Sequence, residues 1–170
     1  MPIVSMKNLY RNAMRESYIL GAFNVFNCDT LKAVLDAAQS TRSPVIVQIS
    51  MGARKYIGNY RNFIRYIHMM AEDYAIPISV NHDHCSSVEA AMEAVDAGVN
   101  GVMFDGSGLP FDENVEKTGQ VADYAKGKGV WVEGELGCLP GFEDEIFAGH
   151  AEFTDAKMAK QFVNAAGCDA

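Results

Sequence analysis

Apolar residues fall along the chain in two kinds of run that take turns. Residues 44–50 (PVIVQIS), 77–81 (PISVN) and 130–136 (VWVEGEL) are short, rich in branched side chains and nearly continuous in apolar character at their start. That is the pattern of strands buried on both faces. Residues 20–25 (LGAFNV) and 101–105 (GVMFD) are shorter runs of the same kind, the second following Ala97-Gly98, a helix stop. Five strands are predicted. Between and after them, residues 29–40, 60–74, 87–97, 113–126 and 154–166 carry apolar positions at helical spacing. Capping residues stand at their starts, as in Ser86-Ser87-Val88-Glu89 and Thr154-Asp155. The first 17 residues alternate polar and apolar positions in the same helical manner.

Strand and helix in strict alternation argue for an α/β fold with a parallel sheet, because parallel neighbours need crossovers of about this length. An open doubly wound sheet and a closed barrel both satisfy that. Two features favour the barrel. Polar residues collect at the C-terminal ends of successive strands (Asn24, Ser50, Asp83 with His84, Asp105, and Glu133 with Glu135), which implies a ring of sites rather than one crevice. No glycine-rich phosphate loop follows the first strand or occurs elsewhere, so a nucleotide-binding sheet loses its main support. A complete (β/α)8 TIM barrel takes about 250 residues. The 170 residues are therefore expected to form a single, incomplete domain supplying about the first five β/α units, with Gly167-Cys168-Asp169-Ala170 leading into a sixth strand.

Composition narrows the partners. A formal net charge of −8 disfavours general binding to nucleic acid or anionic lipid. No signal-type core and no stretch of about 18 apolar residues is present, so neither membrane nor export is expected and the location is read as cytoplasmic. The cysteines Cys28, Cys85, Cys138 and Cys168 form no C-x-x-C pair and are read as reduced thiols.

The densest chemistry is Asn81-His82-Asp83-His84-Cys85. Strict alternation would put His82 and His84 on one face and Asp83 on the other, unless the backbone turns as the strand ends. Histidine is the commonest metal ligand, and a neighbouring carboxylate can serve as a general base. Asp105 and Glu135 end the next two strands, so three ligand-type groups converge within reach of one cation. Several other residues read more simply. The nine methionines fill gaps between helices and sheet; Trp131 packs against a helix; His68 and His150 are a helix-surface and a loop histidine; Arg54 and Lys55 are an exposed loop pair, with a phosphate contact as the alternative.

These residues resemble the class II, metal-dependent ketose-bisphosphate aldolases, which include fructose- and tagatose-bisphosphate aldolases. The stretches that carry the resemblance are GAFNV (21–25), PVIVQISMGARKY (44–56), IPISVNHDHC (76–85), VMFDGSGLPFDENV (102–115), GVWVEGELG (129–137) and FTDAKMAKQFV (153–163), in that order and spacing. The resemblance implies a zinc ion with His84 among its ligands. Asp105 and Glu135 would be carboxylates holding the metal in an alternative position or binding a second divalent ion. Asp83 would be the acid/base at the hydroxyl made or broken with the aldehyde. Glu143, in the Gly-Phe-Glu-Asp segment that is mobile in the family, would transfer the proton at the dihydroxyacetone-phosphate carbon. Asn24 and Ser50 would touch substrate, with 52–56 as the adjoining loop. A phosphorylated sugar substrate, a dimer or tetramer, and a monovalent cation at the phosphate are compatible with the same resemblance. Zinc would act as a Lewis acid on the enediolate left by carbon–carbon cleavage.

The chain departs from the family pattern at Asn81, where the family has His, at His82, at Gly108, and at Pro140 with Phe142 in the mobile loop. Two rival readings follow from the residues alone. One is a metal-dependent barrel hydrolase using His82 and His84 as an H-x-H pair. The other is a non-catalytic half-barrel that pairs with a second chain across its open strand edges.

Overall fold

The computed structural model describes residues 2–138, 141–143, 146–149 and 153–170, the side chains of 142, 143 and 146–148 excepted. Its main sheet has strands β1 Gly21–Asn24, β2 Val45–Ile49, β3 Ile78–Cys85, β4 Gly101–Phe104 and β5 Trp131–Gly134, paired in that order and parallel throughout. The helices are α1 Met6–Glu16, α2 Cys28–Thr41, α3 Met51–Ile57, α4 Tyr60–Ala71, α5 Val88–Ala97, α6 Phe111–Lys126 and α7 Ala156–Ala166. The α/β architecture with a parallel five-stranded sheet is the one the residue pattern predicts.

The helices start and stop for local reasons. Asn27 caps α2 through a reciprocal pair with Thr30, Ser87 accepts from the Ala90 amide ahead of α5, and Asp155 accepts from Lys157 and Met158 ahead of α7. Gly98 and Gly167 end α5 and α7 in the left-handed region, φ 101 and 69, where a β-carbon is disfavoured.

Alternation along each strand divides the side chains. Val45, Val47, Ile49, Ile78, Val80, Val102, Phe104 and Val132 face outward into one core with Leu31, Leu35, Ile64, Ile67, Val121 and Phe162 of the covering helices. Each fully buried side chain of this size contributes roughly 1.5–3 kcal/mol. The inner face carries a smaller cluster, where Ile46 meets Met6 and Leu9 of α1, with Tyr10, Leu20 and Trp131 packed beside them. Helix α1 thus lies against the inner face, anchored by the Val4 amide donating to the Ile78 carbonyl at 2.9 Å. Trp131 packs against this helix, as expected, with its ring 5.2 Å from that of Tyr10.

Beyond α7 the chain returns alongside β5. The Asp169 amide donates to the Val132 carbonyl at 2.8 Å, and the Gly134 amide to the Ala170 carbonyl at 3.0 Å. At the opposite margin β1 has one sheet neighbour among the described residues, and a cavity of about 1010 Å³ opens there, lined by Gly21 and Phe23 of β1 and by Val34, Ala37 and Ala38 of α2. It is mostly apolar and holds none of the candidate site residues. No helix among the described residues is long and apolar enough to cross a membrane.

Three elements differ from the expectation. Strand β3 continues four residues beyond Asn81, because its last part is polar and carries no apolar run to mark it. Residues 52–56, read as a loop, lie inside α3, which Ser50 caps by accepting from the Ala53 amide at 3.3 Å and which ends at Gly58. A short antiparallel pair, β6 Gly141–Glu143 and β7 Ile146–Ala148, was not anticipated in the Gly-Phe-Glu-Asp segment. Pro140 and His150, and the side chains of Phe142 and Glu143, lie outside the described residues.

Candidate active site

The register between β3 and β4 explains how the site is aimed. His82 pairs with Val102 and Cys85 with Phe104, so three steps on β3 match two on β4 and Asp83 and His84 together face Met103. This is a one-residue bulge. His82 and Cys85 are therefore both buried outward, an odd spacing that a regular strand does not permit, and Asp83 and His84 both turn inward. His84 accomplishes the turn in the left-handed region at φ 47, at a cost of about 1–2 kcal/mol for a residue with a β-carbon.

Inward, a cavity of about 520 Å³ is lined by Asn24, Gln48, Ser50, Asp83, His84, Met103 and Glu135. Asp105 stands behind His84. Its Oδ2 lies 3.0 Å from His84 Nδ1, and its Oδ1 accepts from the Ser107 amide at 3.1 Å and the Ser107 hydroxyl at 2.7 Å. Glu135 Oε2 is 3.4 Å from the same imidazole nitrogen, and Asp83 Oδ2 is 3.9 Å from His84 Nε2. Gln48 Nε2 donates to Asp83 Oδ2. One imidazole thus sits among three carboxylates.

Charges answer this geometry. The Asp105 carboxylate at Nδ1 holds the imidazolium up to about 9, against the opposing effect of burial and with further help from Asp83 and Glu135. Burial pushes the Asp105 carboxyl up, but hydrogen bonds from His84 and Ser107 outweigh it and hold the group below its usual range. A proton on His84 is the positive charge that makes this cluster affordable.

A family model described as class-II fructose-bisphosphate aldolase matches residues 4–170. The chain belongs to that family. It is 39% identical over 171 residues to the fructose-bisphosphate aldolase of Geobacillus stearothermophilus, covering 99% of this chain and 60% of that protein. It is 38% identical over 172 residues to the fructose-bisphosphate aldolase of Staphylococcus aureus strain Mu50, covering 100% of this chain and 60% of the relative. The chain thus spans about 60% of the length of the curated relatives it matches. Among solved structures, the YdjI aldolase from Escherichia coli K12 superposes with a TM-score of 0.83 at 29% identity, over 98% of this chain and 59% of that one. The fructose-bisphosphate aldolase of Campylobacter jejuni gives 0.80 at 22% identity, over 97% of this chain and 54% of that one, a likeness of fold alone.

The donor atoms of this class-II aldolase chain fit a metal. One ligand atom each from His84, Asp105 and Glu135 lie within 4.8 Å of one another, the three residues half-buried or buried, and they form the metal-capable group among the described residues. One imidazole nitrogen with two carboxylate oxygens is a donor set that zinc and similar divalent ions accept, and three protein ligands leave positions for further ligands or substrate.

The structure brings together Asp83, His84, Asp105, Glu135, Asn24 and Ser50. It removes His82, which is fully buried on the outer face with its ring 5.1 Å from that of Tyr60, so His82 and His84 do not form an H-x-H pair. Arg54 does not belong to an exposed loop pair. It lies on α3, donates to the Ala90 carbonyl at 3.1 Å, pairs with Glu93 and stacks over Tyr60 at 4.8 Å.

Three contributors escaped the sequence reading. Gln48 and Met103 line the pocket, and Gln48 had a signal: it is the one polar residue within the otherwise apolar VIVQI run. Asn114, buried on α6, donates to the Glu135 carbonyl at 2.8 Å and holds the end of β5 in place. Gly106 lets it do so, since a β-carbon there would come within 2.1 Å of Asn114 Oδ1.

Proposed function

We propose that the protein carrying this chain catalyses metal-dependent aldol cleavage and condensation of a ketose bisphosphate, fructose or tagatose 1,6-bisphosphate, giving dihydroxyacetone phosphate and glyceraldehyde 3-phosphate. The observation behind this reading is the bulge that turns Asp83 and His84 together into a pocket shared with Glu135, in front of Asp105, in a chain of the aldolase family. His84, Asp105 and Glu135 would hold the zinc, which when bound would supply Lewis-acid stabilisation of negative charge developing on the ketose oxygen.

The chain's own residues do the rest. Asp83 takes the proton from the hydroxyl beside the breaking bond, and Gln48 orients its carboxylate by donating to Oδ2. Asn24 and Ser50 contact substrate from the ends of β1 and β2. Glu143 delivers the second proton, at the carbon of the dihydroxyacetone-phosphate half. Residues 1–170 belong to one domain, the N-terminal portion of a barrel, in a cytoplasmic homo-oligomer of two or four chains. A monovalent cation at the substrate phosphate is part of the same proposal.

The intact protein should cleave fructose or tagatose 1,6-bisphosphate in an assay that oxidises NADH as dihydroxyacetone phosphate is reduced. Treatment with a chelator should abolish the rate, and added zinc should restore it. Chelator-resistant cleavage, or none of either sugar by zinc-loaded protein, overturns the reading.

A further inference from the structure

The β4–β5 ladder ends at the pair Phe104 and Gly134, one residue short of Glu135. From there side chains of the covering layer hold the backbone. Asn114 Nδ2 donates to the Glu135 carbonyl at 2.8 Å, and the Thr154 hydroxyl donates to the Leu136 carbonyl at 2.6 Å. Asn114 stands in the first turn of α6 with 1% of its surface exposed, where an apolar side chain would fill the core without the cost of burying an amide. The Thr118 hydroxyl donates to its Oδ1 at 3.0 Å, which fixes the amide with Nδ2 towards β5.

We propose that Asn114 is a positioning residue for the metal-capable group: by holding the Glu135 peptide where the ladder no longer does, it sets the Glu135 carboxylate beside His84 and Asp105. It acts through the backbone and touches neither substrate nor metal. A leucine in its place keeps the volume and the packing of α6 but leaves the Glu135 carbonyl without its donor. The carbonyl then turns to water or to another donor, and the carboxylate on the same residue turns with it.

The role rests on the proposed function for its kinetic readouts and on geometry for the others. In metal-free crystals of the intact protein the Glu135 carboxylate should stand beside His84, as it does here at 3.4 Å from Nδ1, and in N114L it should leave that contact. N114L should bind zinc about tenfold more weakly and lose at least tenfold in kcat with KM little changed. V121A is the control, because Val121 is fully buried on the same helix and its truncation loosens α6 without touching the Glu135 carbonyl. It should lower the melting temperature and leave zinc affinity within twofold of the parent. An unmoved Glu135 in N114L with zinc affinity within twofold of the parent overturns the proposal, as does an equal loss of zinc affinity in V121A. If the leucine variant fails to fold, N114S, whose hydroxyl is too short to reach the carbonyl, takes the same measurements with the same expected outcomes. Failure of the parent to cleave either sugar would sink the proposed function, and the place of Glu135 and the zinc affinity would still judge Asn114.

Discussion

Glu133 and Glu135 stand two residues apart on one face of β5 and its extension, and they live in different chemistry. Glu133 Oε1 accepts from the Tyr10 hydroxyl at 2.9 Å and from the Trp131 indole at 3.1 Å. Burial raises its pKa, the two donors work against that, and the charge of Asp83 adds to it. Glu135 faces His84, with Asp105 opposite. One carboxylate is closed by donors that do not titrate near neutral pH, the other by a partner that exchanges its proton. The contrast separates a carboxylate satisfied by phenol and indole donors from one that faces a titratable imidazole, which is the arrangement the proposed metal site needs.

The strongest way to test the contrast is to remove Asp83, the proposed acid/base beside His84 and Glu135. D83A in the intact protein should lower kcat for aldol cleavage by about 10³-fold, within the range for loss of a positioned general base, with zinc content unchanged. Rates in the coupled assay and metal analysis of the same samples read both quantities. Loss of zinc with D83A, or a rate within tenfold of the parent, would place Asp83 among the ligands or outside the chemistry.

The next test uses the proton that a metal must displace. In the metal-free protein His84 has its pKa raised from 6.5 to about 9, so its contribution to stability is complete below pH 6.5 and is lost as pH rises towards 9. Metal binding requires the neutral ring. Zinc affinity measured against a competing chelator should therefore rise by up to about tenfold per pH unit between pH 7 and 9 and flatten above that. Histidines of ordinary pKa have already lost their protons in this window, so the slope reports His84. A flat profile from pH 7 to 9 would remove it from the ligand set.

Sequence carried most of the fold because β1 to β5 and their covering helices are marked by apolar runs and by capping residues such as Asn27, Ser87 and Asp155. It also carried the members of the site, since Asp83, His84, Asp105 and Glu135 stand at strand ends where a barrel places its chemistry. The bulge was not readable, because the one-residue excess exists in the pairing of β3 with β4 and period-two reasoning on β3 alone has no access to it. Helix α3 was missed for a related reason. Residues 51–57 follow directly on a strand, and Ser50 serves at once as pocket lining and as the cap of a helix with no buried side chains. Asn114 could not be read as a support for Glu135, since the two are 21 residues apart and meet through tertiary packing.

The smallest expected effect belongs to Glu133 and its two donors, and it asks whether Glu133 is as separate from the chemistry as they suggest. Tyr10→Phe removes one hydrogen bond to Glu133 while keeping the ring that packs 5.2 Å from Trp131. Losing a partner of a buried acceptor costs about 1–3 kcal/mol, and the lower end applies because Glu133 is half-buried and the Trp131 indole still donates. In a chain of this size about 1 kcal/mol lowers the melting temperature by roughly 2–4 °C. Helix α1 should hold its place through Met6 and Leu9, which are fully buried against Ile46 without any help from the hydroxyl. Calorimetry should show that shift, with zinc affinity and kcat within twofold of the parent. A tenfold change in either would mean that Glu133 exerts its charge on Asp83 strongly enough to belong to the reacting group, and the boundary drawn across β5 would have to move down by one pair of residues.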